Sequence, residues 1–176
     1  MKTYALYGFI SALAGAFLTL IEFFTGLHSD AAKLPAANLI GGIGAIAIIV
    51  TCIILGTKAR REEVPLTEDF GYGAAFFAGF MISFVSTVLS TAFSFIYNSY
   101  INPAMMDIIL QDRLSKLEAS GMSGDRLDKA ESMTRMMMSP IPLAIYLLIV
   151  GVIVGLVLSL ITAAFLKRQA ALPPKV

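Results

Sequence analysis

Residues 141–166 read IPLAIYLLIVGVIVGLVLSLITAAFL, a stretch without a charged side chain. A helix needs about 20 mainly apolar residues to cross the hydrocarbon core of a bilayer, so this stretch predicts a membrane-spanning helix. Three stretches of the same kind precede it, at about 4–27, 36–57 and 71–100. The sequence therefore predicts an all-α, polytopic membrane protein, with four transmembrane helices in a single membrane domain over residues 1–176.

The composition and the charge distribution exclude other classes of protein. Hydrophobic residues make up 57% of the chain and charged residues only 14%, whereas about 25% charged residues is usual. The apolar stretches contain one charge, Glu22, and the single cysteine, Cys52, lies within one of them. These features exclude a soluble domain, a nucleic-acid binder and a disulfide scaffold, and they make the lipid bilayer the expected partner. No motif for catalysis or cofactor binding is present, so we expect no enzyme activity and no cofactor.

The first apolar stretch is longer than the apolar core of a cleaved signal peptide, and no small-residue cleavage site follows it. We therefore expect it to remain as the first span. The cations beside the spans predict the orientation, because the cytoplasmic side is the richer one in Lys and Arg. The short loop at 28–35 has only Lys33, and residues 101–139 have five cations offset by six anions. We expect both termini in the cytoplasm and residues 102–139 outside, with these cations on the cytoplasmic side: Lys2, Lys58, Arg60, Arg61, Lys167, Arg168 and Lys175.

Residues 102–139 have the pattern of a helical hairpin. Asn102-Pro103 predicts a helix start, Gly121 predicts its end, and Ser123 is positioned to cap a second helix. Two interpretations remain open. The hairpin could dock a membrane or periplasmic protein partner outside the membrane, or it could be a solvated connector that holds the third and fourth spans together.

Four methionines cluster near the end of this hairpin. Thioether sulfur is a soft ligand that suits copper(I), but methionines at helical spacing also form an ordinary apolar helix face. No cysteine accompanies them and the only histidine, His28, lies in another loop, so we expect no metal site. The methionines are Met133, Met136, Met137 and Met138.

Small and polar residues recur on one side of several spans. Small residues every four positions let membrane helices approach closely, and a polar stripe on the third span predicts either interhelical packing or a polar path. A tight bundle and a homo-oligomer would both use such surfaces. The residues that we expect at helix–helix contacts are Gly41, Gly79, Gly151, Gly155 and Ser159.

Glu22 is the candidate functional residue of the spans, since a carboxylate inside a membrane is costly unless it is paired or protonated. A helical wheel places it toward the bundle, at the height of the end of the third span. The candidate functional site is an intramembrane polar cluster of Glu22, Ser94, Tyr97 and Asn98 that would handle a proton or a cation. The interpretation that the sequence favours is a carboxylate that extends to the outer interface near His28 and Lys33.

The order of short motifs along the chain resembles a bacterial family catalogued as domain of unknown function 4199, which is described as four-helix inner-membrane proteins. The resemblance covers nearly the whole chain and implies a bacterial inner-membrane location. It assigns no function and no catalytic residue, and Glu22 is not part of its pattern. The motifs are GTKARREE, TEDFGYGAAFFAGF, IYNSYINPAMMD, KLEASGMSGDRLDKAESM and MMMSPIPL.

We carry three hypotheses about function from the sequence. The leading one is a non-enzymatic scaffold or accessory subunit that docks a partner through the hairpin. The second is a small transporter or channel subunit that uses the polar stripe of the third span. The third is a lipid-handling enzyme with a site near Glu22, Asn98 and Asn102, in which His28 would complete the only titratable pair.

Overall fold

The computed structural model of this protein describes residues 2–170, so Lys175, predicted on the cytoplasmic side, lies outside the described residues. Four helices are long and apolar enough to cross a membrane, and two shorter ones lie between the third and the fourth. The chain is thus an all-α polytopic membrane protein, as the apolar stretches predicted. The α-helices are α1 Lys2–Phe24, α2 Leu34–Glu62, α3 Tyr72–Ile96, α4 Ala104–Ala119, α5 Asp125–Met137 and α6 Pro140–Leu166.

The spanning helices differ from the predicted ranges mainly at their ends. Helix α1 stops at Phe24, three residues early, because Gly26 has a φ of 73° that a continuing helix does not allow. Helix α2 begins at Leu34 and has a proline in its first turn. Proline has no backbone N–H, and the N–H groups of the first turn have no partner within the helix, so it is tolerated there. Helix α3 passes directly into a π-helical turn, Tyr97–Ile101.

Helix α3 is the central helix of the bundle and packs against α1, α2 and α6. Its contact with α6 depends on small residues: a Cβ at Gly155 would lie 2.5 Å from Oγ of Ser83, and one at Gly79 would lie 3.1 Å from Oγ of Ser159. A Cβ at Gly151 would likewise lie 2.6 Å from Cγ2 of Thr87. These glycines therefore lie at close helix–helix contacts, while long apolar side chains cover the outward faces.

One end of the bundle, which we call the terminal end, is where α1 begins and α6 finishes. There the backbones of Phe70 and Arg168 exchange two hydrogen bonds of 2.9 and 2.8 Å. The Arg168 guanidinium also donates to the carbonyls of Val64 and Pro65, at 2.9 Å each. The α2–α3 connection is thereby joined to the end of α6, a contact that the sequence did not predict.

The opposite end, the α4–α5 end, carries the two short helices. Arg135 near the end of α5 lies 3.8 Å from Asp107 in the first turn of α4, so the two helices run antiparallel. Helix α4 contacts the 3₁₀ turn Ala31–Lys33 between α1 and α2, and Leu110 is buried. The α4–α5 pair therefore lies partly across the end of the bundle.

The starts of both short helices differ from the predicted caps. Helix α5 follows Gly124, whose φ is 60°, and no side chain caps it, so Ser123 does not have the predicted role. Helix α4 follows Pro103, also without a side-chain cap. The side chain of Asn102, predicted as the cap, makes a different contact, which belongs to the candidate site.

Candidate functional site

Glu22 is buried near the end of α1, with 5% of its surface exposed. Its carboxyl group lies against the backbone of α2 at Gly41, where a Cβ would stand 2.8 Å from Oε1 and 3.2 Å from Oε2. Only a residue without a side chain fits there without a shift. The structure thus places Glu22 inside the bundle and not at its surface, and it gives Gly41, predicted as a packing residue, the specific role of admitting this carboxyl.

His28 lies over Glu22 because the chain turns back directly after α1. Gly26 adopts the left-handed conformation, which glycine accepts without a steric penalty, and the Leu27 amide donates to the Glu22 carbonyl at 2.9 Å. This turn brings Nε2 of His28 to 3.5 Å from Oε2 of Glu22. Burial lowers the pKa of His28 below its ordinary value, which favours the neutral imidazole at this contact.

Tyr97 extends this contact across to α3. Its hydroxyl lies 2.7 Å from Nδ1 of His28 and accepts a hydrogen bond of 3.1 Å from the side-chain amide of Asn102. The π-helical turn explains the second bond. The backbone N–H of Asn102 donates to the backbone carbonyl of Tyr97 at 2.8 Å, which closes a five-residue turn. Residues five apart are thereby brought onto one face, as π-helical turns at functional sites often do.

The four side chains form one connected group, which we call the polar cluster: Glu22, His28, Tyr97 and Asn102. Each is at least nine-tenths buried. A neutral imidazole has one N–H. With that proton on Nε2, His28 faces Oε2 of Glu22 with its N–H and accepts from the Tyr97 hydroxyl through Nδ1. Oε1 of Glu22 is left without a hydrogen-bond partner among the described residues.

The structure places the predicted cluster residues in two different locations. Glu22 and Tyr97 belong to the polar cluster and are joined through His28. Asn98 instead donates to Oγ of Ser94 at 3.1 Å and lines a separate cavity of about 280 Å³ with Asp107 and Arg135. The regular helical wheel does not include the π-helical turn, so it could not predict that Asn102, rather than Asn98, meets Tyr97.

A groove of about 470 Å³ adjoins the polar cluster inside the bundle. Its floor is the polar stripe of α3, from Ser83 to Tyr97, which extends about 21 Å at 1.5 Å per residue. Its apolar sides are formed by Ile46 and Ile49 from α2 and by Leu147, Val150 and Val154 from α6. Helix α1 also lines it, with Ser11, Gly15, Ala16 and Thr19. The floor residues are Ser83, Ser86, Thr87, Ser90, Thr91, Phe93, Ser94 and Tyr97.

The hydroxyls at the end of this floor nearest the terminal end make hydrogen bonds within the protein. Ser86 donates to Ser11 of α1 at 3.0 Å, and Ser83 donates to the carbonyl of Phe80 at 2.9 Å. Beyond them, toward the terminal end, Ile53, Ile82 and Ser159 are fully buried and close the bundle. The groove is therefore a blind recess that reaches from the polar cluster to about the middle of the spans.

The methionines of α5 belong neither to the polar cluster nor to the groove. Met133, Met136 and Met137 are more than half exposed. Within residues 2–170, no group of three His, Cys, Asp or Glu side chains is arranged to hold a metal ion. Copper binding by the thioethers stays an untested hypothesis.

The spans, the groove and the polar cluster define a class: a polytopic helical membrane protein with a hydroxyl-floored recess between its spans. The family model described as "Protein of unknown function (DUF4199)" matches residues 6–168, and the chain belongs to this family. No curated protein has a significant match to the chain, and no solved structure has one either.

Proposed function

We propose that this protein is a non-enzymatic accessory subunit of the bacterial inner membrane that binds a lipid-soluble amphiphile in the groove between α2 and α6. The observation that carries the proposal is the groove itself, whose volume of about 470 Å³ falls in the range of ligand pockets, about 300–1,000 Å³. Apolar walls suit a hydrocarbon chain, and the hydroxyls of Ser90 and Thr91 offer hydrogen bonds to a polar end.

The form of the groove favours binding over conduction. A channel or carrier needs a path to both ends of the bundle, whereas Ile53 and Ile82 are fully buried between the groove and the terminal end. An amphiphile could instead enter sideways from the bilayer, because α2 and α6 contact each other far less than α3 contacts α6. An enzyme would need its titratable groups at the ligand, and of the polar cluster only Tyr97 lines the groove.

A photoactivatable amphiphile tests the proposal. A diazirine-bearing dodecanol, added to the protein in lipid nanodiscs, should cross-link to α2, α3 and α6 at residues that line the groove. Ser90→Leu fills the floor and should lower this labelling several-fold. Ala92→Leu is the matched control, since it adds a similar volume two residues away on an exposed face of α3. Equal labelling of both variants and the wild type would mean that the groove does not bind amphiphiles.

We further propose that the α4–α5 pair lies outside the inner membrane and that both termini are cytoplasmic. The distribution of basic residues supports this orientation. Lys58, Arg60 and Arg61 lie in the last turns of α2 at the terminal end, and Lys167 and Arg168 directly follow α6 at the same end. By the positive-inside rule that end faces the cytoplasm.

A second function, docking of a protein partner by the α4–α5 pair, has one observation in its favour. Three apolar side chains are exposed on α5: Met133, Met136 and Met137, at 62%, 64% and 55%. Methionine is flexible and is frequent at surfaces that bind varied protein partners. Replacing all three by Gln should abolish co-purification of a partner in mild detergent and leave the protein folded. The α4–α5 pair is not a docking surface if the set of co-purifying proteins is unchanged.

A further inference from the structure

We propose that the amphiphile in the groove has an uncharged carbonyl group at its polar end, and that the Ser94 hydroxyl donates a hydrogen bond to this carbonyl. The inference rests on the proposed binding function, since it specifies the chemical class of the ligand for the same groove. Asn98, four residues after Ser94 and within the π-helical turn, is the positioning residue for this hydrogen bond.

The charge of the ligand is the first step. Among the described residues that line the groove, none is an Asp, Glu, Lys, Arg or His. A charged head group in this recess would therefore have no partner of opposite charge, and an unpaired charge inside a membrane protein is costly. An uncharged ligand avoids this cost, because its polar atoms need hydrogen bonds alone.

The hydroxyl of Ser94 is the second step. A serine hydroxyl has one proton to donate and can also accept. The side-chain amide of Asn98 donates to Oγ of Ser94 at 3.1 Å, so this oxygen already accepts a hydrogen bond. The hydroxyls of Thr19 and Ser159 donate to carbonyls of their own helices, at 3.1 and 2.6 Å. The Ser94 proton has no such acceptor in the described part of the chain, so Ser94 lines the groove with an unused donor.

Two further hydroxyls lie close to Ser94 on the floor of the groove. Ser90 and Thr91 precede it by four and three residues, and residues at these spacings are neighbours on a helix face. A carbonyl oxygen has two lone pairs and no proton of its own that needs an acceptor. It can therefore accept from Ser94 and from one of these two neighbours at once.

The position of Ser94 also leaves room for a hydrocarbon chain. Ser94 is three residues from Tyr97, at the end of the groove next to the polar cluster. The floor continues from Ser94 to Ser83, a distance of about 17 Å at 1.5 Å per residue, between the apolar side chains of α2 and α6. A ligand with its carbonyl at Ser94 thus has its chain along the apolar part of the groove.

Two probes of equal chain length test this inference in nanodiscs of ether-linked phosphatidylcholine, a lipid without carbonyl groups. One probe is a diazirine-bearing methyl ketone, and the other is the corresponding diazirine-bearing hydrocarbon at the same mole fraction in the bilayer. We expect the ketone to label groove residues of the wild-type protein about five-fold more than the hydrocarbon does, the size expected for one hydrogen bond. Ser94→Ala should remove this advantage and leave labelling by the hydrocarbon unchanged.

Thr51→Val is the control, since it removes a hydroxyl from an exposed position of α2 and should leave the advantage of the ketone intact. Asn98→Ala tests the positioning role. Without the amide, the Ser94 hydroxyl is free to donate to a carbonyl of its own helix, as serine often does. The ratio of ketone to hydrocarbon labelling should then fall, whereas a structural role of Asn98 alone would lower labelling by both probes and leave the ratio unchanged.

Ester-linked phosphatidylcholine distinguishes two sources of the carbonyl. If the ligand is a lipid of the bilayer, ester-linked lipid should suppress labelling by the ketone several-fold. If the ligand is a separate carbonyl compound, a quinone-headed probe should label the groove equally in both bilayers. Either result supports a carbonyl at Ser94.

The comparison of the ketone with the hydrocarbon in the wild type needs no variant, so it tests the inference even if Ser94→Ala does not fold. Equal labelling by the two probes, or an advantage of the ketone that persists in Ser94→Ala, would overturn the carbonyl assignment and leave the groove as a binding site. Failure of both probes to label the groove would overturn the proposed function itself.

Discussion

The carboxyl group of Glu22 on α1 lies against the backbone of Gly41 on α2, so closely that a Cβ at position 41 would stand 2.8 Å from Oε1. A charged residue in a span and a glycine in the next span are therefore parts of one feature. The glycine lets α2 approach α1 at the carboxyl, and this approach encloses Glu22 within the bundle.

The first prediction concerns this contact. Gly41→Ala should destabilise the protein by about 1–3 kcal/mol, the usual cost of overpacking, because the added methyl must displace a buried polar group. The measurement is the thermal unfolding midpoint in mild detergent. Gly42→Ala is the matched control, because a Cβ there meets no atom within 4 Å, and alanine is the better helix former. Equal midpoints for the two variants would contradict the enclosed position of Glu22.

The second prediction concerns the contact between α3 and α6. Gly155→Leu should lower stability by about 3 kcal/mol or more, because even a Cβ at this position would lie 2.5 Å from Oγ and 2.7 Å from Cβ of Ser83. Leu156→Ala, at a neighbouring position that is 39% exposed, should have a smaller effect. Both variants are compared with the wild type by thermal unfolding in detergent. A neutral Gly155→Leu would show that this side of α6 faces lipid.

The third prediction is a dependence of stability on pH that arises from His28. Burial lowers the pKa of His28 in the folded protein below its ordinary value of 6.5, so below pH 6.5 the unfolded chain binds a proton more readily than the folded one. The contribution of His28 to stability is therefore complete above pH 6.5 and decreases as the pH falls from there toward the folded-state pKa.

Thermal unfolding at pH 7.5 and at pH 5.5 measures this effect. The wild type should lose stability at the lower pH, and His28→Gln should lose less, because glutamine does not titrate. The Glu22 carboxyl and the Tyr97 hydroxyl, which contact the imidazole, are present in both proteins. If the unfolding midpoint changes by the same amount between the two pH values in both proteins, His28 is not held in its neutral form by burial.

The fourth prediction concerns orientation. In a Cys52→Ser background, a cysteine in place of Ser120, in the turn between α4 and α5, should react with an impermeant thiol reagent in intact spheroplasts. A cysteine in place of Glu62, at the end of α2, should react only after the membrane is permeabilised. Both positions are exposed, so a difference in labelling reports the side of the membrane. The reverse pattern would place the α4–α5 pair in the cytoplasm.

The sequence by itself determined the class of the protein. The length and apolarity of the four stretches predicted the spans because a bilayer admits little else: every backbone polar group within it must be bonded internally, and a helix does this from local residues alone. The contacts of Gly155 and Ser159 followed from their four-residue spacing, since small residues on one helix face permit close packing.

Only the tertiary structure decided the composition of the polar cluster and the presence of the groove. The cluster depends on two irregular features, the left-handed turn at Gly26 and the π-helical turn after α3, and each breaks the regular periodicity on which a helical wheel relies. The sequence consequently grouped Ser94, Tyr97 and Asn98 with Glu22, whereas the structure joins Glu22 to Tyr97 through His28 and bonds Asn102 to Tyr97. The groove depends on the separation of α2 from α6, and their outward residues are as apolar as those of any lipid-facing helix. Such a separation is set by how the other three spans pack around α3, which no local pattern in the sequence encodes.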